Sequence, residues 1–347
     1  MSMSRRRFQS LALSVLGLLL IVFGVTRLQA AVAGLFGHSH EHRVEHRHER
    51  HDRAPRTERR VEVQVISTSA RDVLYDETFR VRSGGDLKVD LGSENVVIRT
   101  GSGDRARVIV EGRGRDAEAE FQRRRFSARA DDGDLTVRTD PPRRRTWNNR
   151  TDANFQVTVE VPRRYSADID VGSGNVEVAS LEGDLRVDVG SGNVDVADVD
   201  GDRIVLDTGS GNVQARTLRG DVRVDTGSGN VRIDRVDGPL HADTGSGNVE
   251  VGRVNGEADV STGSGSIAFA LDAAYESRLN AGSGSITVTV PRGAGFDVDL
   301  DGGSVRIDEA LAFSGNRERD EAQGRLGSGG PTLRADTGSG SIQLRAR

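Results

Sequence analysis

The tetrapeptide Gly-Ser-Gly-Asn/Ser recurs at a nearly fixed interval, and this periodicity restricts the possible folds more than any other feature of the chain. Copies begin at Gly172, Gly190, Gly209, Gly227, Gly245, Gly263 and Gly282, and the motif returns at Gly338. The first seven lie 18 or 19 residues apart. A period this short means stacked units, each too small to bury a core alone, which share one through their neighbours. One full copy is GSGNVEVASLEGDLRVDV, residues 172–189. A second glycine follows eleven residues after the first, at Gly183, Gly201, Gly220, Gly238 and Gly256. Each unit therefore reads as two short strands joined by two glycine-bearing turns.

Within those strands apolar residues alternate. Val176 and Val178 flank Glu177, and Leu185, Val187 and Val189 flank Arg186 and Asp188. Period two with β-branched residues is the signature of a half-buried strand. Two all-β architectures satisfy the pattern. In a parallel β-solenoid, β-helix-like, each 18-residue unit is one two-strand rung stacked about 4.8 Å above the last. In an antiparallel β-meander each strand pairs with its sequence neighbour. The near-identity of equivalent positions favours the solenoid, in which Asn175, Asn193, Asn212, Asn230 and Asn248 form a ladder of amides above Gly172, Gly190, Gly209, Gly227 and Gly245. The preceding serines form a second row. Seven such rungs span roughly 30 Å.

The strand Val157-Thr158-Val159-Glu160-Val161-Pro162-Arg163 leads into the first full repeat, and Ile286-Thr287-Val288-Thr289-Val290-Pro291-Arg292 echoes it near the end. A V-x-V-x-V-P strand feeding repeated G-S-G-N-V strands resembles the bacterial putative-adhesin β-strand-repeat family, a domain of unknown function, over about residues 80–347. The resemblance implies placement at the cell surface or envelope and carries no catalytic residues.

The N-terminus agrees with that placement. Arg5, Arg6 and Arg7 precede the uncharged run Leu11–Thr26, and a small-x-small site, Ala31-Val32-Ala33, follows. Basic, apolar, then small residues is the order of an export signal over residues 1–33. If uncleaved, the same segment would serve as a membrane anchor, although the run is shorter than the about 20 residues a spanning helix needs. Ser4-Arg5-Arg6-Arg7-Phe8 also resembles the twin-arginine export motif.

Residues 34–60 form a His/Arg-rich neck. His38, His40, His42, His46, His48 and His51 crowd into HSHEHRVEHRHERH. Imidazoles at such spacing can converge on Zn, Ni or Cu; a solvated spacer explains the same composition. Residues 61–165 read as degenerate strands, with broken motifs at Gly92 and Gly101. Residues 166–308 are the regular repeats, 309–331 a polar loop, and 332–347 a terminal rung.

Composition excludes several chemistries. The chain has no cysteine, hence no disulfide framework, thiolate site or cysteine nucleophile. Residues 1–60 carry net charge +6, whereas residues 166–270 carry −11 and a single aromatic, Phe269. Nucleic acid needs basic grooves and stacking rings, so it is not an expected partner. Asp207-Thr208-Gly209-Ser210 spells an aspartic-protease signature, but copies at Asp225, Asp243 and Asp336 mark it as the junction of strand and turn. Asp184, Asp202 and Asp221 follow the second turn's glycine and line one edge, as loose cation attractors or calcium ligands. His241, within the repeats, reads as an exposed strand residue. Polysaccharide-cleaving β-helices need acid, base and aromatic residues gathered in a groove; here the aspartates recur at structural positions.

One non-repeat segment stands out, Pro141-Pro142-Arg143-Arg144-Arg145-Thr146-Trp147. Arg and Trp anchor binding surfaces, so Arg143, Arg144, Arg145 and Trp147 are the candidate contact residues. The reading that follows is an exported, non-enzymatic structural or adhesive module with no cofactor. Its partner would be an envelope polymer or surface protein, with membrane contact through an uncleaved N-terminus. The alternatives are a membrane-tethered sensory or regulatory protein binding another protein, and a polysaccharide-acting enzyme.

Overall fold

The computed structural model describes residues 71–140 and 152–347. Residues 1–33, expected to be an export signal, the histidine neck at 34–60, and Arg143, Arg144, Arg145 and Trp147 lie outside the described residues.

The first described strands are β1 (Asp72–Arg80), β2 (Asp86–Leu91), β3 (Asn95–Gly101) and β4 (Arg105–Arg113). A short helix, α1 (Ala117–Arg123), is followed by β5 (Phe126–Asp131), β6 (Asp134–Thr139) and β7 (Asn154–Pro162). The regular repeats supply β8 (Ser166–Ser173), β9 (Val176–Val178), β10 (Leu181–Glu182) and β11 (Leu185–Ser191). Then come the long β12 (Val194–Ser210) and β13 (Val213–Ser228), each running through a turn from one face to the other. They continue as β14 (Val231–Asp237), β15 (Leu240–Ser246), β16 (Val249–Asn255), β17 (Ala258–Ser264), β18 (Ile267–Leu271), β19 (Ser277–Ser283) and β20 (Ile286–Val290). The last six are β21 (Phe296–Asp301), β22 (Ser304–Ile307), β23 (Phe313–Arg317), β24 (Glu321–Leu326), β25 (Thr332–Thr337) and β26 (Ser341–Ala346).

Successive repeats pair in parallel and in register, Val187 with Leu206, Leu206 with Val224, and Val224 with Ala242. The solenoid is therefore the architecture, and the meander is not. One face stacks β6, β2, β8, β11, the second half of β12, the second half of β13, β15, β17, β19, β25 and β21. The other stacks β7, β3, β9, the first half of β12, the first half of β13, β14, β16, β18, β20, β26 and β22. Inward residues such as Ile169, Val187, Leu206 and Val224 are fully buried between them. A short third row, Leu181, Val199, Leu218 and Val236, closes the side near the second turn.

Four features differ from the sequence reading. The stack runs beyond the seven marked rungs: the degenerate strands supply β2/β3 and β6/β7, β21/β22 adds another, and the expected rung at residues 332–347, β25/β26, is internal rather than terminal. Residues 117–123 are helical. Residues 309–331 are not an irregular loop: β23 and β24 pair antiparallel and β24 closes against β21. Finally, rung order departs from chain order at both ends. The β2/β3 rung lies between β6/β7 and β8/β9, and the β25/β26 rung lies between β19/β20 and β21/β22. Both skips come directly after a V-x-V-x-V-P strand, at Pro162 and Pro291. Proline lacks the N–H that would continue parallel pairing, and it releases the chain to pass over one rung.

The ends are closed by antiparallel strands. β4 covers β7, β1 covers β4, and β5 covers β6. At the far end β22 takes backbone bonds from the connection before β24, Val305 N–H to Arg319 O at 2.8 Å. Such caps keep parallel edges from templating further strands.

Candidate functional site: the ladder edge and its capped end

The Gly-Asn turn has two requirements. Its third residue adopts a positive φ, +152° at Gly192 and +151° at Gly211, and a Cβ on Gly211 would sit 1.9 Å from the carbonyl oxygen of Gly192. Only glycine meets both conditions. The Asn that follows bonds along the stack. The Asn193 N–H donates to Asn175 Oδ1 at 2.9 Å, and Asn193 Nδ2 donates to the same oxygen at 3.3 Å. Asn212 and Asn230 repeat this on Asn193 and Asn212, and Asn248 N–H donates to Asn230 Oδ1. The row begins at Asn95 and passes to Ser266 and Ser285, whose shorter side chains take over the acceptor role, and ends on the Ser341 N–H. Gly172, Gly190, Gly209, Gly227 and Gly245 precede these turns, each packed on the carbonyl one rung away.

Inside the same turn runs a buried threonine row. Thr208, Thr226, Thr244 and Thr262 donate to the carbonyls of Gly192, Gly211, Gly229 and Gly247 at 2.9–3.3 Å. This explains the D-T-G-S tetrapeptide: Thr faces inward to satisfy a glycine carbonyl, and Asp faces outward.

The outward aspartates form a column. Asp90, Asp170, Asp188, Asp207, Asp225 and Asp243 are register neighbours on consecutive rungs. Partial burial, then the neighbouring carboxylates, push the Asp170 and Asp207 carboxyls above the usual range. Arg186 and Arg223 answer part of this charge, Arg223 Nε reaching Asp225 Oδ2 at 2.7 Å. On the opposite flank Arg216 bonds Asp198 and Arg235 forks onto Asp237 at 2.6 and 2.9 Å; each hydrogen bond holds its partner's carboxyl low. Asp184, Asp202 and Asp221 do line one shallow groove along the second turn, with Asp200 and Arg219. Among the described residues no group of three or more His, Asp or Glu is arranged to hold a metal ion. His241 is half-exposed, its Nδ1 3.9 Å from Asp259 Oδ2.

The first end of the ladder carries a cluster that the sequence reading missed. Glu94 stands at the third residue of the tetrapeptide, where the repeats have glycine, and it is 2% exposed. Its Oε1 accepts from Arg124 at 2.6 Å, and its Oε2 accepts the Ser93 N–H at 2.8 Å. The Arg124 guanidinium lies over the Phe155 ring at 4.7 Å. Phe121 of α1 packs between Phe155 and Phe126, and Tyr75 meets Phe126 edge-on. The available signal was the broken motif GSEN, a charge where only Gly is otherwise tolerated. Trp147 and its arginines fall between β6 and β7 in the sequence, outside the described residues.

Parallel rungs, an amide ladder and capped ends define a parallel β-solenoid built from short repeats. The chain belongs to the Toastrack DUF4097 family, whose model matches residues 85–345. It is similar to a solved structure named a putative lipid binding protein from Parabacteroides distasonis ATCC 8503, with 14% identity and a TM-score of 0.43. It is also similar to putative adhesins from Bacteroides fragilis NCTC 9343 and Parabacteroides distasonis ATCC 8503, each at 14% identity, with TM-scores of 0.34 and 0.35. All three alignments cover 78% of this chain and 96% of the other. No curated protein matches the chain. Among the described residues no helix is long and apolar enough to cross a membrane.

Proposed function

We propose that the protein is an exported, non-enzymatic binding module of the cell envelope, presenting one repeated surface to an envelope polymer or surface protein. The observation that carries this reading is the in-register repetition of outward groups over consecutive rungs, the Asp90–Asp243 column above all. A row of equivalent weak contacts suits a repetitive partner, because the contacts add through effective concentration. Isolated acid–base geometry of the kind catalysis needs would break such a row, and the titration shifts in the column come first from partial burial and then from neighbouring copies of one residue. Export rests on the basic-apolar-small order of residues 1–33. Arg143, Arg144, Arg145 and Trp147, between β6 and β7 in the sequence, supply a second, non-repeated contact.

The test is co-sedimentation of the purified chain with isolated bacterial envelopes, with and without EDTA, beside the Trp147→Ala form. Saturable binding is expected, weakened by Trp147→Ala. Loss with EDTA would assign a bridging cation to the acidic column. Failure to sediment in either condition overturns the reading.

A further inference from the structure

The β25/β26 rung lies between two rungs that both precede it in the chain. After β20 ends at Val290, residues 291–295 carry the chain past one rung position, and β21 and β22 form the rung beyond it. The two walls of the gap, residues 277–290 and 296–307, therefore both precede the filler in sequence. At the other end the order is reversed: β2/β3 is made first, and later strands close on both its sides. Only at the later position does the inserted rung follow both of its neighbours in the chain.

The filler is held by contacts of two kinds. β25 pairs in parallel with β19 and with β21, and β26 with β20 and with β22. Its Leu333, Ala335, Ile342 and Leu344 are buried. Thr337 Oγ1 donates to Gly284 O at 2.7 Å, and Ser341 N–H donates to Ser285 Oγ at 3.3 Å. These are the contacts every rung makes with its neighbour, and none depends on the connection that delivers the segment. That connection, Gly327-Ser328-Gly329-Gly330-Pro331, places Gly327 and Gly329 at φ of +56° and +75°. Glycines there permit a different path at little cost, and a proline at the end of the hinge favours an extended one.

We infer that the slot between the β19/β20 and β21/β22 rungs also accepts residues 332–347 of a second copy, giving a dimer by reciprocal exchange of this rung. Because the contacts in the slot are the same from either source, the choice between them is set by effective concentration, and exchange grows as chains refold at higher concentration. The proposal is independent of any envelope ligand.

The chain lacks cysteine, which makes the test direct. Ser285 Oγ and Ser341 Oγ lie 3.1 Å apart across the slot, close enough for a disulfide between adjacent rungs. Full chains carrying Ser285→Cys and Ser341→Cys would be denatured, mixed, refolded together over a range of concentrations, and oxidised. The expected result is a disulfide-linked heterodimer on a non-reducing gel, lost on reduction, severalfold more abundant than dimers of either variant alone and rising with concentration. The double variant Ser285→Cys/Ser341→Cys, refolded dilute, should close within one chain. A mixture that links no better than the single variants, while the double variant closes, overturns the proposal. Failure of the dilute double variant to close overturns it too, since the slot would then not hold this segment.

Discussion

The backbone N–H of Asn193 donates to the Oδ1 of Asn175, 2.9 Å away and one rung back, and the Asn193 side chain donates to the same oxygen. Each Asn thus serves the rung after it and is served by the one before. The turn edge is a single hydrogen-bonded line, and its members can be removed one at a time.

Asn212 lies in the middle of that line, accepting from Asn230 N–H and Nδ2 at 3.0 and 3.2 Å. Asn212→Ala should cost about 1–2 kcal/mol in denaturant unfolding, since water satisfies part of what is lost. Asn212→Ser should cost less, because Ser266 already accepts the Ser285 N–H in this row.

Glycine substitutions should separate into two classes. Gly211→Ala forces a methyl group against the Gly192 carbonyl at a positive φ and is expected to cost roughly 4 kcal/mol or more. A Cβ on Gly101 meets nothing within 4 Å, so Gly101→Ala should stay within about 0.5 kcal/mol. Equal losses in paired melts would refute the close-approach argument.

The buried Thr262 hydroxyl donates to Gly247 O at 2.9 Å. Thr262→Val keeps the shape and removes the donor, so a loss of about 1 kcal/mol is expected. The loss is bounded because Val171 and Val189 fill the same inward column in earlier rungs.

Outward aspartates on the two flanks predict opposite pH responses. A carboxyl raised in the folded state, as at Asp207, subtracts from stability while ionised. That cost is present above its folded pKa and gone below its ordinary value of 3.8. Asp207→Asn should therefore raise the melting temperature at pH 7, with the gain vanishing in acid. Asp237, lowered by Arg235, contributes stability above its ordinary value and loses it as pH falls through its folded pKa. Asp237→Asn should lower the melting temperature at pH 7 and converge with the parent in acid. The two pH-dependent melting curves check both signs.

Glu94 and Arg124 form a buried pair at the capped end. Glu94→Ala removes the nearer charge partner of the guanidinium, leaving it Glu120 Oε1 at 3.6 Å, and should cost about 2 kcal/mol. Replacing both together, Glu94→Ala with Arg124→Leu, should recover part of that loss. An additive double variant in urea unfolding would show that the pair does not interact.

The rung and its facing residues were legible because their causes are local. Alternation around Val187 and Val224 assigns the inward face, and the requirement for glycine at positions such as Gly192 is visible as invariance across copies within one chain. Even the D-T-G-S junction was recognisable as a repeat element, although the inward hydrogen bond of Thr208 was not. The end cap was not legible. Its ring cluster gathers Tyr75, Phe121, Phe126 and Phe155 from separate segments with no shared period, and Glu94 announces itself only as a departure from the motif.

Rung order was decided by tertiary structure alone. A parallel ladder is made of backbone groups that every rung carries alike, so its hydrogen bonds hold no address, and β25 satisfies β19 as well as a sequence neighbour would. What selects the order is the reach of the connections after Pro162 and Pro291, together with the caps that β4, β5 and β24 place on the outermost strands. The amino-acid sequence by itself determined the repeating unit, its buried valines and its asparagine edge, through sterics and alternation within about twenty residues. Where each unit sits in the stack, and which one is inserted between two others, depended on contacts between segments far apart in the chain.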